Sequence, residues 1–284
     1  MSMAAFEFAC VVVIALTLFA MMRARRAIAE VLGEYAILAV AGWVGEQSCI
    51  EFYEHYAYSE SWHLFIGHVP LLIPLIWPLV ILSAREVARA LGAPARWQAV
   101  FAGAIVVFDA ALVEVIAVGA NLWSWAEPGH LGVPLIGILG WGFFATAAVA
   151  LLDRPSWRVR LLAIAAAPLA THAALLATWW GLFRWVLRGT LQPASVVALC
   201  ALSTLMVAGA LALRRRGRSL ELAVAVPRVI AAALFFALLA QPDVSTASLW
   251  ICAAASALPY LTLTSYKLRF AGSPSSSHTQ LPSR

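Results

Sequence analysis

Residues 98–118 read QAVFAGAIVVFDAALVEVIAV. At 1.5 Å of rise per residue this stretch forms a helix roughly 31 Å long, enough to cross the hydrocarbon core of a bilayer. It nevertheless carries Asp109 and Glu114. A charge at the bilayer centre costs roughly 2.5–3.5 kcal/mol on insertion scales, so acids within spans are rare and face a bundle interior or a wet cavity. The segment therefore points to a membrane-embedded fold with something polar held inside it.

The rest of the chain agrees. Its 284 residues are 63% hydrophobic and 12% charged, with mean hydropathy +0.88; soluble domains are nearer half apolar and a quarter charged. Nine apolar runs are long enough to span: about 5–22, 34–52, 64–84, 98–118, 133–152, 161–181, 194–213, 221–240 and 247–266. Basic residues alternate between the loops. Arg23/Arg25/Arg26, Arg85/Arg89/Arg96, Arg154/Arg158/Arg160, Arg214/Arg215/Arg216/Arg218 and Lys267/Arg269 fall on one side, and only Arg184 and Arg188 on the other. The positive-inside rule makes the first set cytoplasmic, with the N-terminus outside and the C-terminus inside. The expectation is an all-α polytopic transmembrane bundle of eight or nine spans, in the bacterial inner membrane. It forms one membrane domain over 1–270, with a Ser/Pro-rich disordered tail over 271–284.

Other classes are excluded. The net charge of +5 resides in short loops and does topological work, so nucleic acid is not a partner. No basic residue precedes the first apolar run and three arginines follow it, the reverse of a cleaved signal peptide. Cys10, Cys49, Cys200 and Cys252 are scattered without CxxC spacing, which gives neither a disulfide framework nor a zinc site. No internal repeat or phosphate-binding glycine loop is present.

The polar residues converge instead. Glu46 lies in the outer half of the second run, with Glu51, Glu54 and His55 at its end; these three share a face if the helix continues. His63 precedes the third run and His68 begins it, while Asp109 and Glu114 rise through the fourth. Glu51, Glu54 and Glu60 also read as solvated loop charges, and His55 and His63 as interface histidines. Glu46, Asp109 and Glu114 each need a partner. The neighbouring spans offer no Arg or Lys at matching depth, which leaves histidines, amides, water or a proton. His172 reads equally as a core histidine or a site member. Carboxylate pairs held in different environments perform acid/base work, and Trp123, Trp125 and Tyr58 can stabilise a cation. A metal site competes, but no HExxH, HxxxH or Glu-x-x-His spacing occurs.

Two stretches add a resemblance. Tyr56-Ala57-Tyr58-Ser59 precedes Val69-Pro70-Leu71-Leu72-Ile73-Pro74-Leu75-Ile76-Trp77. Asp109 precedes Trp123-Ser124-Trp125, Leu131-Gly132-Val133-Pro134 and Leu139-Gly140-Trp141. Over residues 40–145 the chain resembles the membrane carotenoid-biosynthesis hydratases, the group of the acyclic carotenoid 1,2-hydratase and bisanhydrobacterioruberin hydratase. The resemblance implies addition of water to a terminal double bond of an acyclic carotenoid or similar isoprenoid lipid, without a cofactor or a metal. It puts Glu46 and Asp109 in the places of the family's span acids. The chain departs from the family pattern at Glu51, Glu54, His55, Glu114 and Ile136-Gly137-Ile138.

The expected catalytic set is Glu46, Asp109, Glu114 and His68. Asp109 or Glu114 donates a proton, Glu46 stabilises the cation and deprotonates water, and His68 relays the proton. Tyr56, Tyr58, Trp77, Trp123, Trp125 and Trp141 are expected to bind substrate. The expected partners are the polyene substrate, membrane lipids and other carotenoid-pathway enzymes. The alternatives are a metal-dependent membrane hydrolase using His55, His63 and His68, or a proton-coupled carrier or scaffold.

Overall fold

The computed structural model describes residues 1–24, 27–127, 129, 132–183 and 222–264, together with positions 205, 209 and 212. The expected seventh span over 194–213 lies almost wholly outside the described residues, and the tail over 271–284 lies entirely outside them. The described helices are α1 (Met3–Ala24), α2 (Ile28–Tyr53), α3 (Leu72–Ala90), α4 (Gln98–Gly119), α5 (Leu135–Leu152), the short α6 (Trp157–Leu161), α7 (Ala163–Thr178), α8 (Leu222–Leu239) and α9 (Ala247–Thr264). A π-helical turn, Trp179–Phe183, extends α7.

Among the described residues, five helical segments are long and apolar enough to cross a membrane: Met3–Arg23, Ile28–Tyr53, Ala95–Gly119, Leu135–Leu152 and Ala163–Leu182. Helix α3 carries Arg85, Glu86 and Arg89 together near its end. Prolines 78, 168, 227 and 259 sit inside helices, where neighbouring helices and local adjustments compensate for the lost backbone bond. Small residues bring α4 against α5. A Cβ on Gly103 would stand 2.8 Å from the Gly142 carbonyl, so the two backbones touch.

Two short antiparallel ribbons join the helices. β1 (Tyr56–Tyr58) pairs with β4 (Trp123–Trp125), in register Tyr56↔Trp125, Ala57↔Ser124 and Tyr58↔Trp123. Each strand follows a left-handed residue beyond a helix end, Glu54 (φ 50°) after α2 and Asn121 (φ 55°) after α4. That conformation is uncommon without glycine and turns the chain sharply. Helix α2 therefore does not continue through His55, and the expected shared face of Glu51, Glu54 and His55 does not form. The ribbon is tied at both ends, with Ser59 N–H donating to the Leu122 carbonyl (3.0 Å) and Ala126 N–H to that of His55 (2.7 Å).

The second ribbon, β2 (Phe65–Ile66) with β3 (Val69–Pro70), occupies the start of the stretch expected as the third span. Gly67 at φ 64° makes its tip. Trp43 Nε1 donates to the Ile66 carbonyl (3.0 Å) and His68 N–H to Gln47 Oε1 (2.8 Å), so side chains of α2 satisfy this non-helical backbone.

The main core gathers Leu38, Ala41, Ile81, Leu82, Ile105, Val106, Ala145 and Ala148 from α2 to α5. A second cluster, including Phe6, Trp62, Ile116, Leu122, Trp123 and Leu239, lies beside the β1–β4 ribbon. Near the start of α2, buried Arg85 donates to Glu34 Oε2 at 2.7 Å, Arg160 to Glu30 at 2.7 Å, and Arg89 to Asp153 at 2.9 Å.

Candidate active site

Glu46 and Glu114 come together in one cavity. Glu46 stands two turns before the end of α2. Its Oε2 accepts hydrogen bonds from the Tyr58 hydroxyl (2.9 Å) and the Tyr56 hydroxyl, and its Oε1 accepts one from Trp77 Nε1 (2.9 Å). Glu114, 2% exposed, sits in the last part of α4. Its Oε2 accepts from Trp123 Nε1 (2.8 Å) and Trp125 Nε1 (3.1 Å), and its Oε1 from Trp141 Nε1 (2.6 Å). Each carboxylate thus receives three donors.

The β1–β4 ribbon organises this arrangement. Residues i and i+2 of a strand face the same side, so Tyr56 and Tyr58 reach Glu46 from one strand while Trp123 and Trp125 reach Glu114 from the other. Three ring pairs bridge the two donor sets: Tyr56 with Trp125 at 4.9 Å, Tyr58 with Trp123 at 5.9 Å, and Trp77 with Trp141 at 4.7 Å between centroids. Two indoles are seated on glycines. A Cβ on Gly42 would meet Trp77 at 2.9 Å, and one on Gly137 would meet Trp125 at 2.5 Å. Burial raises both Tyr56 and Tyr58 well above the usual phenol range. Both hydroxyls therefore remain protonated donors at neutral pH.

The cavity has a volume of about 210 Å³, and Cys49, Tyr53, His55 and Phe144 add to its wall. This is below the roughly 300–1,000 Å³ of pockets that enclose a whole drug-sized ligand. It suits one end of a longer molecule. Beside it, His172 of α7 lies between Ser48 Oγ (2.8 Å from Nε2) and the Tyr53 hydroxyl (2.9 Å from Nδ1), and His55 stacks on Tyr53 at 5.3 Å.

Of the expected site residues, Glu46, Glu114, Tyr56, Tyr58, Trp77, Trp123, Trp125 and Trp141 line this cavity. Asp109 and His68 do not. His68 lies in a groove outside it, with Glu60 and Phe65. Asp109 meets a cation that the sequence reading had ruled out. Arg228 of α8 pairs with Asp109 Oδ2 and donates to Ser83 Oγ (2.8 Å), while the Tyr260 hydroxyl of α9 donates to Asp109 Oδ1 (2.5 Å). Arg228 lies near the start of the eighth apolar run, which packs beside α4 and so brings the guanidinium to Asp109.

Other residues went unnoticed in the sequence. Gly42, Gly45, Cys49 and Tyr53 of α2 line the cavity on the face that carries Glu46, as do Gly137, Gly140 and Phe144 of α5 on the face that carries Trp141. The three- and four-residue spacing of one helix face was the available signal. The histidines named for a hydrolase stand apart: His63 bonds Glu7 (2.6 Å), His55 stacks on Tyr53, and His68 is exposed. Among the described residues no three His, Cys, Asp or Glu side chains gather as a metal site.

The apolar helices and the enclosed carboxylates define an integral membrane protein with an aromatic-walled acid cavity. The chain belongs to the carotenoid biosynthesis protein family, whose model matches residues 3–208. It is therefore a carotenoid-pathway membrane protein. No curated protein and no solved structure gives a significant match to the chain.

Proposed function

We propose that this protein hydrates a terminal carbon–carbon double bond of an acyclic carotenoid or related isoprenoid lipid. The observation that carries this reading is the pair Glu46 and Glu114 in one aromatic cavity, each held by three donors. The Arg distribution favours placing the ribbon end on the outer side of the inner membrane.

Hydrogen-bond chemistry favours exchanging the roles expected from sequence. Indole N–H groups only donate, whereas a tyrosine hydroxyl donates or accepts. Glu114, served by three indoles, is suited to remain an anion. Glu46 can hold a proton, because its carboxyl O–H can donate to a tyrosine. The Tyr56 hydroxyl then keeps an acceptor in the Glu46 carbonyl, 3.4 Å away. In the step that follows, the Glu46 carboxyl proton passes to the CH carbon of the alkene and the π electrons form the new C–H bond. The cation left on the tertiary carbon is stabilised by Glu114 and the surrounding ring faces. A water oxygen bonds to that carbon, and the proton it releases returns to Glu46. Asp109, neutralised by Arg228, holds α4 in place.

The test is incubation, in heavy water, of membranes carrying the protein with an acyclic carotenoid made in ordinary water. The expected pigment gains the mass of one water and one non-exchangeable deuterium on the carbon next to the new alcohol. Unchanged pigment beside correctly inserted protein would refute the reading.

A further inference from the structure

Ser48, Tyr53 and His172 form a hydrogen-bonded chain between α2 and α7, and its partners fix the direction of each bond. Ser48 Oγ stands 2.6 Å from the Val44 carbonyl, one turn earlier in α2. A carbonyl only accepts, so the single hydroxyl proton of Ser48 lies on that bond. The Ser48 oxygen therefore accepts from His172 Nε2–H at 2.8 Å. In a neutral imidazole this leaves Nδ1 without a proton, and Nδ1 accepts the Tyr53 hydroxyl proton at 2.9 Å. The opposite tautomer would press the lone pairs of Ser48 Oγ and the Val44 carbonyl together.

The chain borders the cavity of the two acids. Tyr53 lines that cavity, as do Cys49, next to Ser48 on α2, and Thr171, next to His172 on α7. With its proton committed to His172, the Tyr53 oxygen has only lone pairs to offer. The indoles of the cavity are the reverse, since they only donate. Tyr56 and Tyr58 differ as well, because their hydroxyls serve Glu46. A water that adds to a cation must point a lone pair at the carbon, so both of its hydrogens need acceptors. Glu46 accepts one after it has given up its own proton. The other needs a second acceptor in the same cavity.

We propose that Tyr53 is this second acceptor: its hydroxyl oxygen holds the water that adds to the cation, and His172 is the positioning residue that keeps the hydroxyl proton turned away. This rests on the hydration reading given above. The hydrogen facing Glu46 leaves as the proton, and the hydrogen facing Tyr53 stays on oxygen as the new alcohol O–H. Without a held water the tertiary cation has another outlet. It loses a proton from the neighbouring CH2 carbon to the Glu46 carboxylate, and the C–H electrons re-form the alkene.

The experiment incubates membranes carrying wild type, Tyr53→Phe, His172→Leu, His172→Gln or Thr171→Val in heavy water with an acyclic carotenoid made in ordinary water. Mass spectrometry compares deuterium in the recovered alkene with the amount of hydrated product. Both fates start from one cation, so a general loss of folded protein leaves this ratio unchanged. Tyr53→Phe and His172→Leu should each raise it about tenfold, the worth of one hydrogen bond. His172→Gln should stay near wild type, because its amide offers an acceptor to Tyr53 and a donor to Ser48. An unchanged ratio in Tyr53→Phe would overturn the inference. So would a rise confined to Thr171→Val, which would give the water to a hydroxyl that donates to the Ala167 carbonyl at 2.8 Å. Equal ratios in His172→Gln and His172→Leu would overturn the positioning role. Wild type that hydrates beside an unaltered Tyr53→Phe removes this inference alone; wild type that adds no water removes the hydration reading with it.

Discussion

Tyr58 and Trp123 face each other across the β1–β4 ribbon, and each serves a different acid: Tyr58 donates to Glu46 at 2.9 Å and Trp123 to Glu114 at 2.8 Å. Two carboxylates on separate helices are thereby held by one register of paired strands. Tyr58→Phe and Trp123→Phe should each lower stability by about 1 kcal/mol and slow turnover roughly tenfold. Their effects should not add, because the rings also touch. Thermal unfolding and pigment turnover of the four-member cycle measure this; strict additivity would contradict the shared framework.

The two acids should respond differently to amide replacement. Glu46→Gln removes the acidic proton and should cost a factor of roughly 10²–10⁴ in turnover, with little change in unfolding temperature. Glu114→Gln aims an amide donor into a set of three indole donors. One donor is left without an acceptor, which should cost about 1–3 kcal/mol of stability in addition to activity. Equal destabilisation by both would argue against the division of roles.

Arg228 and Asp109 form a test of position against chemistry. Asp109→Leu alone leaves a cation unpaired and should cost about 3–5 kcal/mol. Asp109→Leu combined with Arg228→Met should recover most of that loss and keep hydration activity. A well-folded but inactive double variant would move Asp109 into the chemistry.

High pH should weaken the fold through the ribbon tyrosines. Burial raises Tyr56 and Tyr58 above the ordinary phenol value near 10. Their contribution is complete below that value. It is lost as pH rises further, since the unfolded chain then releases protons that the folded chain retains. The unfolding temperature of wild type should drop more steeply above pH 10 than that of the Tyr56→Phe/Tyr58→Phe variant; parallel curves would exclude these hydroxyls as the cause.

The legible part of this molecule was local. Apolar runs placed most of the described helices to within a few residues, although α2 begins six residues before its run and α3 eight residues after its own, and the rarity of acids in such runs pointed to Glu46 and Glu114. The resemblance marked the Tyr-x-Tyr and Trp-x-Trp segments. It could not say that they pair, because strand pairing between positions some 65 residues apart leaves no periodic trace in either segment. The helix end at Glu54 was misjudged because it depends on a left-handed residue that is not glycine. The third apolar run hid a hairpin, whose backbone partners, Trp43 and Gln47, are supplied by another helix. Arg228 was in plain view, and only the packing of α8 against α4 brought it to Asp109.

That last pairing has a bearing on biogenesis. Asp109 precedes Arg228 by 119 residues. At translation rates of about 5–20 residues per second, α4 reaches the bilayer roughly 6–24 seconds before its counter-ion is made. During that interval α4 carries an unbalanced aspartate, and a chain stopped short of residue 228 carries it permanently. The Asp109–Arg228 pair thus closes only in a chain long enough to supply α8.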